Sequence, residues 1–74
     1  MGADKRIARI PKPEQVGGVE WLILEYDAKS GGWFLYFHRT LEEPSEADNW
    51  YLSADEALNQ AETWGVNRGD WRDA

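Results

Sequence analysis

The stretch from Val19 to Thr40, VEWLILEYD-AKSGG-WFLYFHRT, constrains this chain more than any other. It reads as two strands, Val19–Asp27 and Trp33–Thr40, joined by a turn with Gly31 and Gly32. β-Branched and aromatic residues favour strands, and glycine supplies the positive φ that hairpin loops need. The stretch holds Trp21 and Trp33, Tyr26 and Tyr36, and both phenylalanines, Phe34 and Phe37. Period two puts Leu22, Leu24 and Tyr26 on one side of the first strand and Val19, Trp21 and Ile23 on the other. In the second strand Trp33, Leu35 and Phe37 alternate with Phe34, Tyr36 and His38. Each strand is apolar on both sides, so the hairpin presents two faces that need cover.

Little chain remains to supply it. Seventy-four residues make a single domain. With no cysteine there is neither a disulfide nor a thiolate metal site. After the hairpin, Leu41–Asp48 is an acidic loop around Pro44, and Asn49–Leu52 reads as a third strand. Ser53-Ala54-Asp55-Glu56 is a capping box that opens a helix. Ser53 is expected to accept from the Glu56 N–H, and Glu56 to reach back to the Ser53 N–H. Ala54, Ala57, Leu58, Ala61 and Trp64 form the apolar stripe of that helix. Gly65 is placed for a left-handed cap that turns Val66 back onto Ala61. The expected fold is α+β: a three-stranded antiparallel meander with one C-terminal helix packed on one face.

Residues 1–18 read as a basic, flexible N-terminal arm ahead of a β-β-β-α domain at 19–72. Lys5, Arg6, Arg9 and Lys12 against Asp4 give residues 1–12 a charge of +3. Pro11 and Pro13 break regular structure, allowing at best a short edge strand near Arg6–Ile10. The remainder carries four basic residues against 13 acids, a net of −9. Such a body repels phosphate backbones. The helix has no basic residue from Ser53 to Trp64, which argues against double-stranded RNA and against nucleic acid at the folded domain. No stretch reaches the roughly 20 apolar residues of a membrane span. No secretory leader is visible, so a cytoplasmic setting is expected.

The residues that do chemistry elsewhere are sparse here. His38 is the single histidine, and within a strand it reads as structural. Glu42, Glu43, Glu46 and Asp48 lack the alternating pattern of a calcium loop and read as a solvated acidic loop. Gly31-Gly32 is not a phosphate-binding motif, and Arg68-Gly69-Asp70 is a chance tripeptide. Neither a catalytic set nor a cofactor site is expected.

The cover for the second face is then the open question. Three strands make a sheet roughly 14 Å wide, and one helix, about 10–12 Å across, covers one side of it. The candidates are the chain's own Trp71, its Ile7 and Ile10, a second copy, or another protein. The expectation is a non-enzymatic interaction module using an aromatic sheet face or a sheet edge to bind a protein partner or a homodimer mate. Trp21, Ile23, Trp33, Phe37 and Trp50 are the candidate partner-binding residues. The alternative is a module for a small ligand or divalent cation, built from the sheet aromatics and the acidic loop.

Two resemblances bear on this. Asn49-Trp50-Tyr51, Ser53-x-x-Glu56-Ala57-x-x-x-Ala61, Trp64-Gly65-Val66 and Asp70-Trp71 resemble small bacterial β-β-β-α proteins with no assigned activity. Glu25-Tyr26-Asp27, Gly31-Gly32-Trp33, Tyr36-Phe37 and the helix opening are loosely similar to HicB-type antitoxin domains. That likeness implies an acidic domain binding a small basic protein. The Pro-Asp-Leu-Pro-Gly segment of that family is replaced here by Leu41-Glu42-Glu43-Pro44.

Overall fold

The computed structural model describes residues 4–74. Five strands form one antiparallel sheet: β1 (Lys5–Arg9), β2 (Trp21–Asp27), β3 (Gly32–His38), β4 (Ala47–Tyr51) and β5 (Arg72–Asp73), in the spatial order β4-β3-β2-β1-β5. One helix, α1 (Ala54–Glu62), follows β4. The class is α+β, as expected, but the sheet has five strands and not three.

The two additional strands come from segments read as arm and tail. The arm's residues 1–3 lie outside the described residues. Lys5–Arg9 pairs with β2 along its whole length, from Lys5 opposite Glu25 to Arg9 opposite Trp21. It is not an edge, because Arg6 and Ile7 pair with Asp73 and Arg72 on its other side. Pro11 ends this strand rather than preventing it. The Ile10 N–H donates to the Glu20 carbonyl at 2.8 Å as a last rung, and the next residue has no N–H to give. A 3-10 turn at Lys12–Glu14 follows, and Gln15 Nε2 closes it on the Ile10 carbonyl at 2.9 Å.

The hairpin forms where expected. Asp27 pairs with Gly32 across a four-residue loop. The Gly31 N–H donates to the Asp27 carbonyl at 2.8 Å, with Gly31 at φ +73°. The capping residue of α1 is Ser53, whose hydroxyl accepts from the Glu56 N–H at 3.2 Å. The reciprocal bond differs from expectation. The Glu56 carboxylate accepts from the N–H of Leu52, one residue earlier. At the far end Gly65 is left-handed at φ +80°, and the Val66 N–H reaches the Ala61 carbonyl at 3.2 Å. This is the expected Schellman closure, and it puts Val66 and Ala61 together in the interior.

One buried cluster holds the fold together. It joins Ala8, Ile10, Leu22, Leu24, Leu35 and Phe37 of the sheet to Ala57, Leu58, Ala61 and Val66 of the helix and its cap. Small alanines let the helix approach a sheet of larger side chains, so the two surfaces interdigitate. Trp64 meets Phe37 with ring centroids 5.3 Å apart. Trp33, Tyr51 and Trp71 pack against the margin of the same cluster. We call this side of the sheet the inner face.

Candidate functional site

Cross-strand partners in a sheet share a face, so the register decides what the other side displays. Leu22 pairs with Phe37, Leu24 with Leu35 and Tyr26 with Trp33. All are therefore inner-face positions. The outer face holds three rows. Arg9, Trp21 and His38 form one. Arg72, Ile7, Ile23, Tyr36 and Asp48 form the second and span all five strands. Lys5, Glu25, Phe34 and Trp50 form the third.

The five candidate residues divide accordingly. Trp21, Ile23 and Trp50 lie together on the outer face. Trp33 and Phe37 do not join them. Phe37 is only 7% exposed, inside the buried cluster, and Trp33 packs at its edge. Phe34 and Tyr36 take their places outside, and sequence reasoning did not single them out. The signal was available: the four-residue loop makes every odd position of β2 face an even position of β3.

The outer face is an aromatic surface with an ordered interior geometry. Phe34 and Tyr36 stack at 5.5 Å with 21° between their planes. Tyr36 and His38 meet edge to face at 6.5 Å. At one end the Arg9 guanidinium lies 5.5 Å from the Trp21 ring, a cation–π contact, and pairs with Glu20 at 3.0 Å. At the opposite end Trp50 lies over Gly32 and donates from Nε1 to Ser30 Oγ at 2.9 Å.

None of the intramolecular covers considered from sequence lies over this face. Trp71 packs against the inner-face cluster, and Ile10 is fully buried within it. Ile7 is a member of the outer face and not its lid. The acidic loop borders it on one flank, through Leu41 and Ser45. His38 Nδ1 donates to the Glu43 carbonyl at 3.1 Å, which ties the loop down at one corner. Leu41 and Ser45 then border a shallow depression of about 300 Å³ with Ile23, Tyr36 and His38. A second depression, about 400 Å³, lies beside Trp21 and contains Arg9, Arg72 and Asp70.

Charge is divided across the face. Lys5, Arg9 and Arg72 lie on the β1–β5 flank. Asp48 lies on β4, with the acidic loop next to it, and Glu25 sits between the two flanks. The ion pairs among the described residues are Arg9–Glu20 and Arg68–Asp55, so Lys5, Arg72, Glu25 and Asp48 are in neither. Tyr36 sits amid the acids. Partial burial, then the charges of Glu25, Asp48 and Asp27, push its phenol above the usual value of 10.0.

Among the described residues, no three carboxylate or histidine side chains converge as a metal site would require. Glu43 bonds Thr40 instead, at 3.3 Å. No helix among them is long and apolar enough to cross a membrane. No family model, curated protein or solved structure matches the chain.

Proposed function

We propose that this chain is a non-enzymatic interaction protein that buries its outer sheet face against another polypeptide. One observation carries the reading. Trp21, Ile23, Phe34, Tyr36 and Trp50 occupy one sheet face, while the helix and the Trp71 tail are committed to the other. A sheet face left to water is ordinarily polar, and contiguous apolar surface rimmed by charge is the usual mark of a protein contact. The same surface is broad and shallow, which suits a protein more than an enclosed small molecule. The cysteine-free composition fits a cytoplasmic setting. The likeness to acidic antitoxin domains points the same way, towards a protein partner.

The test is a pair of variants. Ile23→Asp places a charge at the centre of the face, whereas Val16→Ser removes an exposed apolar side chain in the loop before β2. The expected outcome is that Ile23→Asp abolishes the capture of polypeptides, a second copy included, by the immobilised chain, with Val16→Ser unaffected. Capture unchanged in Ile23→Asp, with the fold intact by circular dichroism, would overturn the proposal.

A further inference from the structure

From the division of charge on the outer face we infer that its occupant is a second copy of this chain. The copies meet face to face about a two-fold axis parallel to the strands, over the seam between β2 and β3. This deepens the interaction reading and rests on it. The row Arg72–Ile7–Ile23–Tyr36–Asp48 runs cation, three apolar residues, anion. A two-fold parallel to the strands keeps each row in register and reverses the strand order. Ile23 then faces the partner's Tyr36, and Trp21 faces the partner's His38. Lys5 approaches the partner's Trp50, and Arg72 closes on the partner's Asp48 from outside the β4 edge. Each contact occurs twice, as an isologous interface requires.

The other symmetric arrangements are disfavoured by the same charges. A two-fold across the strands would set Asp48 against Asp48 and Arg72 against Arg72. Antiparallel edge-to-edge pairing of β4 with its copy, centred on Ala47, would set Glu46 against the partner's Asp48, acid against acid. Like charges facing one another across an interface suppress that geometry.

Shape agrees with charge. The acidic loop rises at the His38 end of the β3–β4 flank, where Leu41 and Ser45 border the face. The 400 Å³ depression lined by Arg9, Arg72, Trp21 and Asp70 lies on the opposite flank, at the same end of the strands, and of its two arginines Arg9 is already paired with Glu20. The proposed two-fold brings the loop of one copy, with Glu42 and Glu43, to that depression in the other.

The four strands that overlap, β4 to β1, span about 19 Å, so two such faces bury on the order of 1,000 Å² together. That is the lower end for a specific interface, and a micromolar Kd is expected.

Charge exchange tests this. Asp48 and Arg72 are both exposed, so reversal does not threaten the interior. Asp48→Arg alone opposes Arg to Arg, and Arg72→Asp alone opposes Asp to Asp. Mixed one to one, the variants restore both opposite-charge contacts. By analytical ultracentrifugation, each variant alone should weaken dimerisation about tenfold or more, and the mixture should recover to within about threefold of the wild type. A wild-type chain that remains monomeric at about 0.5 mM, far above a micromolar Kd, overturns the inference. So does a dimer that both single reversals leave intact, or one that the mixture fails to restore. The broader interaction reading fails on a different result. Capture by the immobilised chain would be the same for wild type and Ile23→Asp.

Discussion

Trp50 lies over Gly32, and the space where a Cβ would stand at position 32 is filled by the indole ring. The backbone of Gly32 is otherwise ordinary, so alanine there would gain a little from a stiffer unfolded chain. The steric cost outweighs that gain. Gly32→Ala is expected to lose roughly 1–3 kcal/mol through displacement of the ring. Urea unfolding of Gly32→Ala, Trp50→Ala and the double variant checks it. The double variant should lose less than the sum of the singles, since removing the ring removes the clash.

The turn below that tryptophan should respond to acid. Ser30, first through its side-chain hydrogen bond, holds the Asp27 carboxyl below the ordinary 3.8, against an opposing desolvation effect. A depressed folded pKa means the contribution is present above the unfolded value and is lost as pH falls through the folded one. The wild type should therefore shed more stability than Asp27→Asn does as pH falls below about 3.8. Chemical denaturation across that range reads the difference. Equal acid sensitivity in the two would remove Asp27 from the account.

Tyr36 gives the opposite sign at the alkaline end. Its folded pKa is raised, first by burial and then by Glu25, Asp48 and Asp27. Its contribution is complete below the ordinary 10.0 and is lost as pH rises through the folded value. In a Tyr26→Phe/Tyr51→Phe background, phenolate absorbance should show a midpoint above 10.0. Adding Glu25→Gln should bring it down. A midpoint at or below the ordinary value would contradict the described surroundings of this ring.

Trp71 carries a buried indole N–H with no hydrogen-bond partner among the described residues. An unmet donor costs about 1–3 kcal/mol. Trp71→Phe removes the donor and keeps most of the apolar contact with the cluster. Its stability should stay within about 1 kcal/mol of the wild type, against a loss of about 3 kcal/mol for Trp71→Ala. Thermal and urea unfolding of both variants distinguish this from a hydrogen-bonded indole, for which Phe would also be costly.

Much of this architecture was legible from residue patterns. Ser53, Glu56, Gly65 and Val66 are local signals, acting within a few residues, and α1 starts and stops where they place it. The hairpin was legible for the same reason. What escaped was set by long-range pairing. Lys5–Arg9 alternates weakly: Ala8 is small, Ile7 faces outward, and the residue that fills the interior, Ile10, lies past the strand's end. Arg72–Asp73 is too short to have a period at all. The candidate site was half legible. Trp21, Ile23 and Trp50 were found by apolar character on a strand. Trp33 and Phe37 share that character but face inward, because the loop length and not composition sets the phase between strands.

The pairing of β1 with β5 has a further consequence for how the chain reaches this state. Ile7 and Arg72 are neighbours in space but far apart in sequence, and Ala74 donates to the Lys5 carbonyl at 3.1 Å. Closing so long a loop is the entropically slowest contact available to the chain. β2, β3 and β4 can zip from the hairpin outward, while one flank of β1 waits for Arg72–Asp73, far along the chain. Until β5 docks, β1 carries an open hydrogen-bonding edge, and that docking shields it at Arg6 and Ile7.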